Sequence, residues 1–208
     1  MQSNDFETIV FGRKSVRQFD PEVKISHDEM LEMLDQAVKA PSAVNLQPWR
    51  FTIVESDQAK ANLAPLLYGN QLQNETSAAM ILVFGDRHCY ELTEEIYDTA
   101  VDQGKMPQEV RDRQVSMIVP MYQGKTEREM DATVKIDASL AAMQLMLVAR
   151  AHGYDTNPIT GFDASRLAEA FDLDPERYVP VMIIAIGKAA ETGHDSVRLP
   201  AQTLTQFK

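Results

Sequence analysis

A chain of 208 residues, 44% of them hydrophobic, can bury one well-packed domain, and a formal net charge of -11 repels nucleic acid and anionic membrane alike. One cysteine, Cys89, excludes an intrachain disulfide and any multi-cysteine metal site. Residues 1–5 carry no basic segment leading into an apolar run, and the longest apolar runs, 78–84 and 179–186, are too short to span a bilayer. A single-domain, soluble, cytoplasmic protein without membrane or nucleic-acid partners is therefore expected.

In chain order, the first signal is Arg13-Lys14-Ser15-Val16-Arg17, three cations in five residues against an acidic background. Such a cluster is either a solvated face or a phosphate-binding segment. Ser26-His27-Asp28-Glu29 has the form of a capping box, after which Met30, Leu34, Ala37 and Val38 share one helical face and Pro41 ends the helix. Ala40-Pro41-Ser42-Ala43-Val44-Asn45-Leu46-Gln47-Pro48-Trp49-Arg50 follows, small and rich in amides. Its prolines are explained by a helix stop and by an extended lead into a strand over residues 49–54, where Trp49, Phe51 and Ile53 alternate. Ser42, Asn45 and Gln47 are left over as donors and acceptors suited to the edge of a flat polar ring.

Asp57 is expected to cap a short helix that Pro65 disturbs, and Gly69-Asn70 to turn the chain toward an apolar strand within 78–84. Residues 91–123 are polar and acidic with breakers at Gly104, Pro107 and Pro120, which predicts helical excursions outside the core. Thr126-Glu127-Arg128-Glu129 is a second capping box, and Met130, Val134, Ala138, Ala141, Leu145 and Val148 form an apolar stripe that Gly153 closes. Burial in a monomer core and burial between subunits fit this stripe equally well. Asp163 opens another helix with Leu167, Ala170 and Phe171 inward, and residues 178–186 form the last core strand. The tail, 188–208, holds too little apolar content to fold by itself. His27, His88, His152 and His194 read as surface or helix-end residues, and Glu91, Glu94, Glu95 and Asp98 as one solvated helix face. Strands interleaved with helices predict an α/β or α+β layered domain, and without a Gly-x-Gly-x-x-Gly after a first strand it is not a Rossmann unit.

Arg13-Lys14-Ser15-Val16-Arg17-Gln18-Phe19, the uninterrupted run at 40–49, Asn157-Pro158-Ile159-Thr160-Gly161-Phe162-Asp163 and a C-terminal Arg198 together resemble the nitroreductase family of FMN-dependent oxidoreductases. The resemblance spans roughly residues 6–200. It implies one domain over residues 1–208, a mixed and mostly antiparallel sheet between helical layers, and an intertwined homodimer in which residues 188–208 wrap the other subunit.

The resemblance also implies a site. Arg13, Ser15, Arg17 and Arg198 are expected at the FMN phosphate, Lys14 near N1 and the C2 carbonyl, and one of Asn70 or Gln71 at the pyrimidine edge. Pro158, Ile159, Thr160 and Gly161 are expected beside N5 and O4, and Pro41, Ser42, Ala43 and Asn45 along the ring from the neighbouring subunit. The family pattern has Glu where Thr160 stands and Lys where Ser196 stands. Hydride from NADH or NADPH then passes to a flat small-molecule acceptor, a nitroaromatic or quinone, in a ping-pong sequence that needs no nucleophilic side chain. A specialised flavoprotein of the same superfamily, such as a reductive dehalogenase or enone reductase, is the alternative enzyme. A non-catalytic nucleotide- or anion-binding protein is the alternative of another class.

Overall fold

The computed structural model describes residues 4–208, so Met1 to Ser3, weighed above for a leader, lie outside the described residues. In chain order its helices and strands are α1 (Phe6–Gly12), α2 (His27–Ala37), β1 (Trp49–Val54), α3 (Asp57–Leu63), α4 (Gln71–Thr76), β2 (Ala79–Asp86), α5 (Thr93–Asp102), α6 (Gln108–Gln123), α7 (Glu127–Ala151), β3 (Asp155–Ile159), α8 (Ala164–Leu167), β4 (Tyr178–Gly187) and α9 (Ala201–Leu204).

β2 explains the layering. It is apolar at nearly every position, and a strand's side chains alternate between faces, so both faces must be covered. Ala79, Ile81 and Val83 pack with Met33 of α2 and Ala138, Ala141 and Leu145 of α7. Met80, Leu82 and Phe84 pack on the opposite side with Phe19, Leu63, Leu66 and Leu167. The sheet thus lies between two helical layers, the α+β arrangement expected. Its order is β1-β2-β4-β3 and every neighbouring pair is antiparallel. The expected mixed character reduces, among the described residues, to one parallel bridge between Ser15 and Thr156.

α7 begins with a complete capping box, for Thr126 N–H donates to Glu129 at 2.9 Å and Glu129 N–H donates to the Thr126 hydroxyl at 3.3 Å. Its residues Met130, Val134, Ala138, Ala141 and Leu145 are buried as expected. By length and composition α7 could cross a membrane, yet it is the core helix packed on the sheet. A third cluster joins Tyr97 of α5 and Ile118 and Tyr122 of α6 to Met130 and Val134, so the 91–123 excursion has its own small core.

Several local expectations change. Ser26 caps α2 by accepting from Glu29 N–H, but the Glu29 carboxylate accepts from the Tyr154 hydroxyl at 2.8 Å instead of closing the box. Ser56, not Asp57, caps α3. The Gly69-Asn70 turn leads into α4, and Pro120 lies inside α6, close enough to its end to interrupt little of the hydrogen-bond ladder. After Leu167 the chain tightens into a 3₁₀ turn, which brings Ala168 inward and leaves Ala170 exposed. His152 is at the end of α7, as expected, but buried.

Gly85 marks where α7 crosses β2. A Cβ there would stand 2.5 Å from Val134 Cγ2 and 2.7 Å from its Cβ. Gly85→Ala should lower the unfolding free energy by about 1–3 kcal/mol in urea denaturation, the usual range for overpacking. The same change should cost clearly less in a Val134→Ala background; equal costs in the two backgrounds would show that this contact does not limit packing.

Candidate functional site

The basic segment is held as an extended edge beside β3. Val16 N–H donates to Thr156 O at 3.1 Å, and the buried side chains of Val16 and Phe19 anchor the segment while Arg17 faces solvent. The chain after β4 returns to it: Asp20 N–H donates to Lys188 O, Ala190 N–H to Gln18 O, and the Glu191 carboxylate accepts from Arg17 N–H at 2.7 Å. Gly193 is buried against Lys14 Cβ and Ser15 O, which a Cβ would approach to 3.0 and 3.1 Å. Lys14 Nζ lies 2.6 Å from Asp195, and its hydrogen bond and charge hold that carboxyl below its usual range. Arg13 keeps one buried guanidinium nitrogen, Nη1, without a partner among the described residues. Such a donor is costly unless something accepts from it.

Beside this edge, Leu67 bridges Phe162 and Tyr68 N–H donates to Gly161 O at 2.9 Å. Asn70 Nδ2 donates to Tyr68 O and Gly161 O, whereas Gln71 turns its amide back to Leu67 O. Of the two candidates, Asn70 is therefore the one beside Gly161. The packing there is close, since a Cβ on Gly161 would come within 3.3 Å of Asn70 Nδ2 and 3.4 Å of Tyr68 O. Sequence reasoning missed Gln73, which is buried and donates to Asn70 Oδ1 at 3.2 Å, fixing the orientation of that amide. Their i, i+3 spacing was the available signal, hidden because the helix α4 was read only as a turn. Pro158 and Ile159 lie on β3, and Thr160 is exposed just beyond it. These segments bring Arg13, Lys14, Ser15, Arg17, Asn70, Pro158, Ile159, Thr160 and Gly161 to one region of the chain.

Pro41, Ser42, Ala43 and Asn45 are elsewhere. Their loop feeds β1, the opposite edge of the sheet from β3, with β2 and β4 between. Three strand spacings amount to on the order of 14 Å. Val44, Asn45 and Gln47 all have left-handed backbone, with φ of 45°, 57° and 48°. Each such residue costs of order 1–3 kcal/mol, and a β-branched valine is a true outlier. The shape is held from outside: Ala43 N–H donates to Asp137 Oδ2 at 3.1 Å, the Tyr97 hydroxyl to Val44 O at 3.0 Å, and Arg50 Nη1 to Gln47 O at 3.0 Å. Arg50 also meets Asp86 at 2.9 Å, and Asp86, with 0% exposure, takes two further bonds from Arg177. Burial raises the Asp137 carboxyl above its ordinary range, opposed in part by the bond from Ala43. Ser42 and Gln47, set aside above for a heterocycle, spend part of their capacity in the loop, since Gln47 N–H donates to Ser42 Oγ and Gln47 Nε2 to Asn45 O.

Arg198 follows Asp195, the ion-pair partner of Lys14, by three residues. It is exposed, and among the described residues its guanidinium donates only to its own neighbours, the Ser196 hydroxyl and Val197 O. Cys89 is buried, which pushes its thiol up to about 12 and leaves it unreactive. Among the described residues no three His, Cys, Asp or Glu side chains converge on a possible metal.

Comparison with known proteins bears on this geometry. The family model described as "Nitroreductase family" matches residues 10–188. The Bacillus subtilis protein YdgI, provisionally named an NAD(P)H nitroreductase, is 51% identical over 208 residues, all of both chains. A Lactiplantibacillus plantarum protein, the CLA biosynthesis enone reductase, is 39% identical over 206 residues, covering 99% of this chain and 95% of the relative. A crystal structure of an Exiguobacterium sibiricum protein in complex with FMN superposes with a TM-score of 0.97 at 52% identity, covering 100% of this chain and 99% of that one. With the match to the family model running from before the basic edge to the end of β4, and with this fold, the chain belongs to the nitroreductase family.

Proposed function

We propose that the protein is an FMN-dependent oxidoreductase that takes hydride from NADH or NADPH and reduces flat acceptors such as nitroaromatics and quinones. We further propose that it works as a homodimer whose sites bridge the subunits. The observation that carries this is the split of the family's motif residues between opposite edges of one sheet, a split that a second copy of the chain would reunite. The uncovered apolar surface supports the same assembly. α7 has a second stripe, Ile136, Leu140 and Met143, facing away from the core, and Phe11 of α1 and Val197 and Phe207 of the tail are 82%, 91% and 95% exposed. The tail is proposed to wrap the partner and to carry Arg198 to the phosphate.

The residues at the basic edge fit FMN. Arg13 offers a buried donor with no partner among the described residues, the chemistry a phosphate needs, and Ser15 and Arg17 lie on the same extended segment. Lys14 supplies a cation for the N1 and C2 side, Asn70 an oriented amide for the pyrimidine edge, and the backbone of residues 158–161 polar groups for N5 and O4. FMN, when bound, supplies reversible two-electron chemistry that no side chain here provides. The chain's own part is to hold the ring, to place positive charge where negative charge gathers, and to keep one face open. Small side chains at Ser42 and Ala43 of the partner leave space for one flat ring at a time, so donor and acceptor alternate. The likeness to a named enone reductase favours a second reading in which the acceptor is an α,β-unsaturated ketone; a panel of nitroaromatics, quinones and enones under steady-state conditions separates the two.

Arg17→Ala and Arg198→Ala should each weaken FMN affinity about tenfold or more, since a charge-assisted contact is worth about 1.5–3 kcal/mol. Titration of flavin fluorescence measures it, and two variants with wild-type affinity would refute the phosphate assignment.

The bridging site has a sharper test. One variant neutralises Arg13, Lys14 and Arg17, another replaces Ser42 and Asn45 with bulky residues, and each homodimer should be nearly inactive. Refolded together, the two yield mixed dimers in which one site inherits both lesions and the other neither. Random pairing then restores up to about a quarter of wild-type activity. A mixture shown to contain heterodimers but without activity would rule the bridging site out.

A further inference from the structure

The loop 42–47 is exposed along Ala43, Val44 and Asn45, where a flexible chain would be expected, yet it holds three non-glycine residues in left-handed backbone. Local hydrogen bonds from Gln47 N–H to Ser42 Oγ and from Asn45 N–H to Ser42 O fold the turn, but strained backbone of this kind persists only where further contacts over-determine it. Two of them come from separate helices. Asp137 is buried midway along α7 next to Ala138, where alanine would cost no desolvation, and it accepts from Ala43 N–H. That N–H is the first unpaired donor of the 3₁₀ turn Ala43–Asn45; Ser42, the residue placed to cap it, makes no capping bond, its hydroxyl accepting from Gln47 N–H instead. Tyr97, buried on α5, donates its hydroxyl to Val44 O at the centre of the strained segment.

We propose that Asp137 and Tyr97 are positioning residues that lock this loop into the shape in which Ser42, Ala43 and Asn45 meet the flavin of the partner subunit. The inference rests on the bridging site proposed above and adds to it the source of the loop's rigidity. A preformed edge loses no loop entropy when the ring docks, so affinity and ring environment both depend on the two clamps. Tyr97 has a further consequence: its helix also contributes Ile96, Thr99 and Ala100 to a cleft of about 510 Å³ that Asn45 and Gln47 line. A molecule entering that cleft touches the same helix that holds Val44.

The full-length protein, with and without FMN, tests this through Asp137→Leu, Asp137→Asn, Tyr97→Phe and the Asp137→Leu/Tyr97→Phe pair. Far-UV circular dichroism and thermal midpoint check folding, flavin fluorescence gives affinity, visible circular dichroism reports the ring's surroundings, and amide hydrogen exchange in the flavin-free protein reports the loop. Asp137→Leu should weaken FMN about tenfold, alter the visible spectrum and speed exchange across residues 43–47. Asp137→Asn keeps an acceptor oxygen for Ala43 N–H and should stay within about twofold of wild type. Tyr97→Phe removes one oxygen and should weaken FMN a few-fold, and the pair should lose less than the sum because both clamps hold one loop. Folded Asp137→Leu and Tyr97→Phe proteins with wild-type affinity, spectrum and exchange would overturn the inference, as would an Asp137→Asn variant no better than Asp137→Leu. Should Asp137→Leu fail to fold, Tyr97→Phe and Asp137→Asn decide by the same measures. A wild type unable to bind FMN would sink the functional reading itself, a result separate from a wild type that binds FMN beside variants that bind it equally well.

Discussion

Burial of β2 on both faces is the constraint from which the rest follows. A strand with apolar residues at successive positions can be satisfied only inside a three-layer stack, so helices must cover both sides of the sheet. Polar groups and open backbone are then confined to the sheet's two edges and to the loops that reach them. The basic segment lies along the β3 edge, and the amide-rich loop enters at the β1 edge. One subunit cannot bring these edges together, because its own two central strands stand between them. A site drawn from both edges is therefore a statement about assembly as much as about chemistry.

The two edges are stiffened by different means. At the β3 edge, backbone pairing with Thr156 and with the returning chain at 188–191 holds the basic segment straight, with Arg17 facing solvent and Lys14 paired to Asp195. At the β1 edge the chain is bent, and side chains do the holding. Asp86 is fully buried between the partly exposed Arg50 and Arg177, and its carboxylate would be severely penalised without them. Its worth lies in orientation, for the guanidinium it fixes reaches Gln47 O. Strain stored in the loop is thus balanced against a buried polar network instead of being relieved by glycine.

Much of this was legible in the sequence wherever the physics is local. The capping box at Thr126, the apolar stripe of α7 and the turn at Gly153 each depend on residues within a few positions of one another. The family's motifs were legible for the same reason, as contiguous words. What could not be read depends on partners far along the chain. Glu29 leaves its capping box for Tyr154, 125 residues away, and Asp137 finds Ala43 at a separation of 94. In a sequence Asp137 is one more acidic residue on a helix, and only burial distinguishes it. Gln47 shows the converse: it reads as a ligand for a ring because its local role needs a left-handed backbone that its residue type does not announce.

α7 carries these levels together, since its three faces do different work. Val134, Ala138 and Ala141 pack on the sheet, Asp137 reaches the strained loop, and Ile136, Leu140 and Met143 stand uncovered. A subunit docking on the uncovered face would press on the helix that also holds Ala43. Because Asp137 is the immediate neighbour of Ile136, a rotation of α7 that improves the apolar contact also moves the carboxylate under the loop. In the dimer proposed above, assembly and the geometry of the loop would then be mechanically one problem, and the small-residue core face at Ala138 and Ala141, through which α7 packs on the sheet, would bear on both.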